Sequence, residues 1–90
     1  MRRTYTVVFL HERDGRYSAI VPALQGCASW GETLAEAFRM IEEAIQLYLE
    51  SLEAHGQPIP EDTDTFTVEM GDAPEASIHK LTVRKAVPVA

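Results

Sequence analysis

The stretch YSAIVPALQGCASWGETLAEA, residues 17–37, constrains this chain more than any other, because it leads an alternating strand into a capped helix through closely spaced proline and glycine. Tyr17, Ala19 and Val21 share one face of the extended part. Pro22, with no amide hydrogen to give a sheet ladder, ends that strand or sits at an edge. Leu24 and Gly26 carry the crossover into a short third strand over residues 27–30, starting at Cys27, and Gly31 marks the sharp exit from it. Thr33 followed by Glu36 matches the S/T-x-x-E capping box, in which a hydroxyl and a carboxylate satisfy amides left unpaired at a helix start, and Ala37 falls in the first turns.

Upstream, residues 4–11 set Thr4, Thr6, Val8 and Leu10 on one face and Tyr5, Val7, Phe9 and His11 on the other. These β-branched and aromatic residues suit a pleated surface covered on at least one side. Asp14-Gly15 supplies the turn that sends residues 16–21 back antiparallel.

Downstream, the chain is helical in propensity and period from Leu34 to about His55, with Leu34, Phe38, Ile41, Ala44, Ile45, Tyr48 and Leu52 on one stripe. Arg39, Glu42, Glu43, Gln46, Glu50 and Glu53 populate the opposite face. Met40 and Leu47 lie on a flank between the two, and read either as a partly covered core edge or as an interface with another molecule. His55 suits a helix C-terminus, Gly56 a left-handed stop, and Pro58 and Pro60 keep the helix from resuming.

Past Pro60, two alternating segments compete for the closing strand. Residues 63–70 align Phe66, Val68 and Met70, residues 78–87 align Leu81, Val83 and Val87, and residues 71–74 form a turn or loop between them. Both are expected to be extended, the last one completing the sheet or pairing with another copy, with Lys80, Arg84 and Lys85 guarding its edge. The expectation is a single domain over residues 1–90 of order β-β-β-α-β(β). That is a two-layer α+β fold, one long helix packed on a mixed or antiparallel sheet.

The chain has 90 residues and a formal net charge of −6, from 14 acidic against 8 basic side chains. Acidity disfavours direct DNA or RNA binding and suits a basic partner. A domain this short buries only a little over ~60% of its unfolded surface, so a homo-oligomer, dimer or tetramer, is expected. Cys27 is the one cysteine, which excludes an intrachain disulfide and fits a reducing cytoplasmic location. The basic start Met1-Arg2-Arg3 is followed by too short an apolar run for a signal peptide, and nothing approaches a membrane span.

Chemistry-bearing groups are sparse. His11, His55 and His79 stand on separate elements with no H-E-x-x-H pattern, so no metal site is expected. Cys27 reads as a small packing residue rather than a nucleophile, and no G-x-S-x-G elbow or Gly-rich phosphate loop is present. No cofactor and no enzymatic activity are expected.

The run Y-x-A-x-V-P-x-L-x-G-C-x-x-x-G-x-T-x-x-E-A resembles the HicB-like antitoxin family, and the resemblance continues over residues 5–60 through Glu43-Ala44-Ile45 to Gly56-Gln57-Pro58-Ile59-Pro60. The motif residues are Tyr17, Pro22, Leu24, Gly26, Cys27, Gly31, Thr33, Glu36, Ala37 and Gly56, in mainly structural roles. The resemblance implies a truncated RNase H-like fold and the antitoxin of a type II toxin-antitoxin system. Such an antitoxin is a non-catalytic module that binds and neutralises a small, basic, RNA-cleaving HicA-like toxin. Many members of that family add a C-terminal helix-turn-helix or ribbon-helix-helix; residues 61–90 read as strands and turns, so no DNA-binding domain is expected here.

The rival readings are a weak metal-dependent RNase H-like nuclease and an orphan structural oligomer. Against the nuclease stands the opening strand, residues 4–11, which holds no carboxylate to bind a metal.

Overall fold

A computed structural model describes residues 2–71 and 73–84. Its elements are β1 (Arg2–His11), β2 (Tyr17–Ile20), β3 (Ala28–Gly31), α1 (Leu34–Ala54) and β4 (Glu75–Arg84). The four strands form one sheet in the order β3-β2-β1-β4, with every neighbouring pair antiparallel. The fold is therefore α+β, one helix on a fully antiparallel sheet.

Strand alternation splits β1 between two layers. Tyr5, Val7 and Phe9 point to the helix side, where they are buried with Leu24, Ile41 and Ile45. Val8 and Leu10 point the other way into a second cluster with Ala73, Ile20, Phe66 and Val68.

That second cluster explains where the sequence expectation for residues 63–70 departs from the fold. They form no ladder, and the closing strand is β4, which begins at Glu75 rather than Ile78 and pairs with the whole of β1 from Arg2↔Arg84 to His11↔Glu75. With β2 and β4 occupying both sides of β1, residues 63–70 do more for stability by covering Val8 and Leu10 than by extending an edge. The expected strand end at residues 85–87 lies outside the described residues, as does Asp72 of the connecting turn.

The chain passes between faces at the place β2 vacates. The β1–β2 ladder stops at Val8↔Ile20, which leaves the Thr6 amide without a strand partner on that side. Asp62 substitutes for one: its Oδ1 accepts from Thr6 N at 2.9 Å and its Oδ2 from Thr6 Oγ1 at 2.7 Å and Lys80 Nζ at 2.7 Å. One residue away, the Tyr5 hydroxyl donates to the Pro60 carbonyl at 2.6 Å. Neither Asp62 nor this crossing was marked by any local pattern.

The helix buries Ala37, Ile41, Ile45 and Leu49, with Leu34, Phe38, Ala44, Tyr48 and Leu52 partly buried beside them. The expected stripe thus gains Ala37 and Leu49.

Candidate protein-interaction surface

The crossover motif builds a scaffold. Val21 N donates to the Cys27 carbonyl at 3.1 Å, and inside that closure Leu24 N donates to Val21 O and Cys27 N to Leu24 O. Pro22 sits at the mouth of this loop, Leu24 is fully buried in the core, and Gly26 turns the chain with φ +82°. Burial pushes the Cys27 thiol up to about 11, which keeps it protonated and a poor nucleophile at neutral pH. Tyr17 stacks flat on His11, ring centroids 4.3 Å apart.

Gly31 is where the helix meets the sheet. A Cβ built there would lie 2.5 Å from Ala37 N and 2.9 Å from the Glu36 carbonyl carbon, so strand and helix backbones touch with no room for a side chain. Thr33 caps α1, its Oγ1 accepting from Glu36 N at 3.1 Å. The Glu36 carboxylate accepts from Glu32 N at 3.2 Å, one residue before the amide a standard capping box would engage. At the far end Gly56 N reaches Glu53 O and Gln57 N reaches Leu52 O, a Schellman closure that needs the positive φ (+65°) of Gly56. His55 Nδ1 lies 2.7 Å from the Ser51 carbonyl, among the terminal carbonyls as the sequence indicated.

With these groups engaged in the scaffold, the surface left for a partner is the outward side of α1 and the margins of the sheet. Glu43 and Glu50 are exposed and Glu36 is half-buried, one heptad apart along a single acidic ridge. Beside them Met40 is 38% and Leu47 62% exposed, so the flank read as either core edge or interface stays open to solvent. Trp30, for which the sequence offered no role, is half-exposed on β3 with the Arg16 guanidinium 5.1 Å from its ring centre. Its signal in the sequence was a large aromatic on a short strand next to a glycine.

Two hollows accompany this surface. An open one of about 790 Å³ lies by the β1–β2 turn and is lined by Glu12, Arg16, Ser18, Ile20, Ala28 and Trp30. A smaller one of about 330 Å³ is lined by Phe9, His11, Tyr17, Glu75, Ser77 and His79. It brings together two histidines that the sequence places on separate elements. His79 is wedged edge-on between Phe9 and Phe38, with Nε2 3.2 Å from Ser77 Oγ. Among the described residues, no three His, Cys, Asp or Glu side chains are grouped to hold a metal ion, and no helix is long and apolar enough to cross a membrane.

A family model described as the HicB_like antitoxin of bacterial toxin-antitoxin system matches residues 5–81, from β1 into β4. The chain belongs to the HicB-like antitoxin family. This HicB-like chain is 52% identical over 58 residues to a UPF0150 protein of Synechocystis sp., an overlap of 64% of this chain and 73% of the relative. To a UPF0150 protein of Thermoplasma acidophilum it is 48% identical over 58 residues, 64% of this chain and 84% of the relative. Its fold is similar to the N-terminal domain of Burkholderia pseudomallei antitoxin HicB, with a TM-score of 0.65 at 22% identity over 96% of this chain and 99% of that one. It is also similar to a chain of a toxin-antitoxin complex from Streptococcus pneumoniae, with a TM-score of 0.75 at 19% identity over 100% of this chain and 82% of that one. At such identities the likeness is one of fold, and both matches embrace the helix and the whole sheet described above.

Proposed function

We propose that this HicB-like chain is the antitoxin of a type II toxin-antitoxin pair, acting in the cytoplasm as a non-catalytic binder that neutralises a small, basic, RNA-cleaving HicA-like toxin. Family membership over residues 5–81 carries the reading. The net charge of −6 and the glutamate ridge of α1 support it, since they favour encounter with a cationic protein and disfavour direct contact with DNA. The protonated, buried Cys27 and the absence of carboxylates from β1 favour binding over catalysis.

The test is RNA cleavage by the small basic protein encoded beside this one, with and without this chain, alongside this chain alone with magnesium or manganese. Cleavage by the neighbour that stops on addition of the HicB-like chain is the expected result. Metal-dependent cleavage by this chain alone would replace the antitoxin with a nuclease, and no cleavage by either would leave a structural oligomer.

A further inference from the structure

The hollow of about 330 Å³ beside His79 forms where the sheet carries on past the start of the helix. The last row of paired residues runs across three strands as Tyr17, His11 and Glu75, and the row inside it sets Phe9 beside Ser77. Alternation turns all of these toward the helix side, where Phe9 is buried. α1 begins at Leu34, which borders the hollow, and Phe38, one turn on, packs on Phe9 and His79 with ring centroids 4.4 Å and 5.1 Å away. The last row is covered only in part: His11 and Tyr17 are half-buried and Glu75 is exposed.

The walls of the hollow differ in kind. The rings of His11 and Tyr17, 4.3 Å apart and parallel to within 6°, join Phe9 and Leu34 in supplying flat and apolar surface. Ser77 Oγ and His79 Nε2, 3.2 Å apart, bring hydroxyl and imidazole groups with acceptor capacity. With the histidines neutral, Glu75 is the one formal charge on the lining, which contains no lysine or arginine. Among the described residues its carboxylate makes no hydrogen bond or ion pair. Glu42, half-buried and one turn beyond Phe38 on the same flank of α1, adds a second carboxylate to the approach.

From these walls we infer that the hollow receives a single arginine side chain of a basic partner protein, the toxin of the reading above, on which the assignment rests. A guanidinium is flat, stacks on aromatic faces, forks onto a carboxylate and sheds water more readily than an ammonium. Its aliphatic stem matches Phe9 and Leu34, and its donors match Glu75, Ser77 and the neutral imidazoles. Pockets that enclose whole small molecules start at about 300 Å³, so this hollow sits at the lower limit of that class and suits one long side chain. Glu75 and the net charge of −6 oppose an anionic occupant such as a phosphate. The glutamate ridge of α1 draws a cationic protein in from a distance, and an arginine seated beside His79 fixes how it docks.

The pocket is tested first without the toxin, by titrating the full-length chain with Nα-acetylarginine methylamide and following its imidazole NMR signals. His11 and His79 should shift and saturate while His55, held against Ser51 O at the far end of α1, stays still. The citrulline counterpart, equal in shape but uncharged, should leave all of them unmoved, and Glu75→Gln should abolish the arginine response. No shift, or an equal shift with citrulline, would overturn the pocket. The second arm repeats inhibition of RNA cleavage by the small basic protein encoded beside this one, using Glu75→Gln in place of the unaltered chain. About tenfold more of the variant should be needed, with its circular dichroism and melting temperature unchanged. Equal inhibition by the two proteins would remove the toxin's arginine from the hollow and leave the antitoxin reading standing. Failure of the unaltered chain to inhibit, with the arginine probe still bound, would instead overturn the antitoxin reading and with it the named partner.

Discussion

Asp62 shows how one side chain substitutes for a missing strand. Burial raises the carboxyl's pKa, and hydrogen bonds from the Lys80 ammonium, the Thr6 amide and the Thr6 hydroxyl more than reverse this, leaving it at about 2. A carboxyl whose folded pKa lies below its unfolded value stabilises the fold above the unfolded pKa and loses that contribution as pH falls through the folded one. The stabilisation from Asp62 should therefore be complete above pH ~5 and disappear between pH ~4 and ~2, amounting to no more than about 2 kcal/mol. Solvent reduces the Lys80 share, because that side chain is 63% exposed. Asp62→Asn should keep one acceptor for Thr6 N and lose the ion pair, costing about 1–2 kcal/mol at pH 7 and flattening the acid limb of the stability curve. Urea titrations of both proteins at pH 7 and pH 3 would check this, and an equal difference at the two pH values would remove the carboxylate charge from the account.

At the level of elements, the β3–α1 junction depends on backbone contact. Gly31→Ala places a methyl group 2.5 Å from Ala37 N, against backbone that cannot rotate away. A cost of about 2–3 kcal/mol is expected, a fall in Tm of roughly 10–20 °C for a domain of this size. Gly26→Ala is the internal comparison: nothing lies within 4 Å of its Cβ, so only the left-handed φ opposes it, at about 1 kcal/mol. Equal melting temperatures for the two variants would mean that the junction yields.

This junction was legible in the sequence because its signals are local: Gly31, the Thr33–Glu36 cap, the helical period and the Gly56 stop all act within a few residues. The same holds for the β1–β2 hairpin and for His55 among its carbonyls. The path of residues 57–70 was not legible. Whether Phe66 and Val68 pair as a strand or cover Val8 and Leu10 depends on which segments occupy the two sides of β1, a competition decided by residues distant in sequence. Met40 and Leu47 illustrate the same division, since helical period placed them on a flank and only the position of β3 left that flank uncovered.

For the whole molecule, negative charge is concentrated on one ridge: Glu36, Glu43 and Glu50 line one side of α1, beside the exposed Met40 and Leu47. A basic partner would be drawn to that ridge. Glu43 and Glu50 are exposed, and replacing both with lysine changes the formal net charge from −6 to −2, two charges being reversed, with no buried group disturbed. Association with a basic toxin should slow about tenfold at 10–20 mM salt, where charges act over more than ~20 Å, and the deficit should shrink toward 0.5 M salt as screening shortens that range. Dissociation should change less, since long-range steering acts chiefly on encounter. Stopped-flow or surface-based association rates measured across that salt range, with thermal melts to verify folding, give the comparison. An unchanged association rate at low salt would mean that the ridge faces away from the toxin and that shape and apolar contact account for the binding.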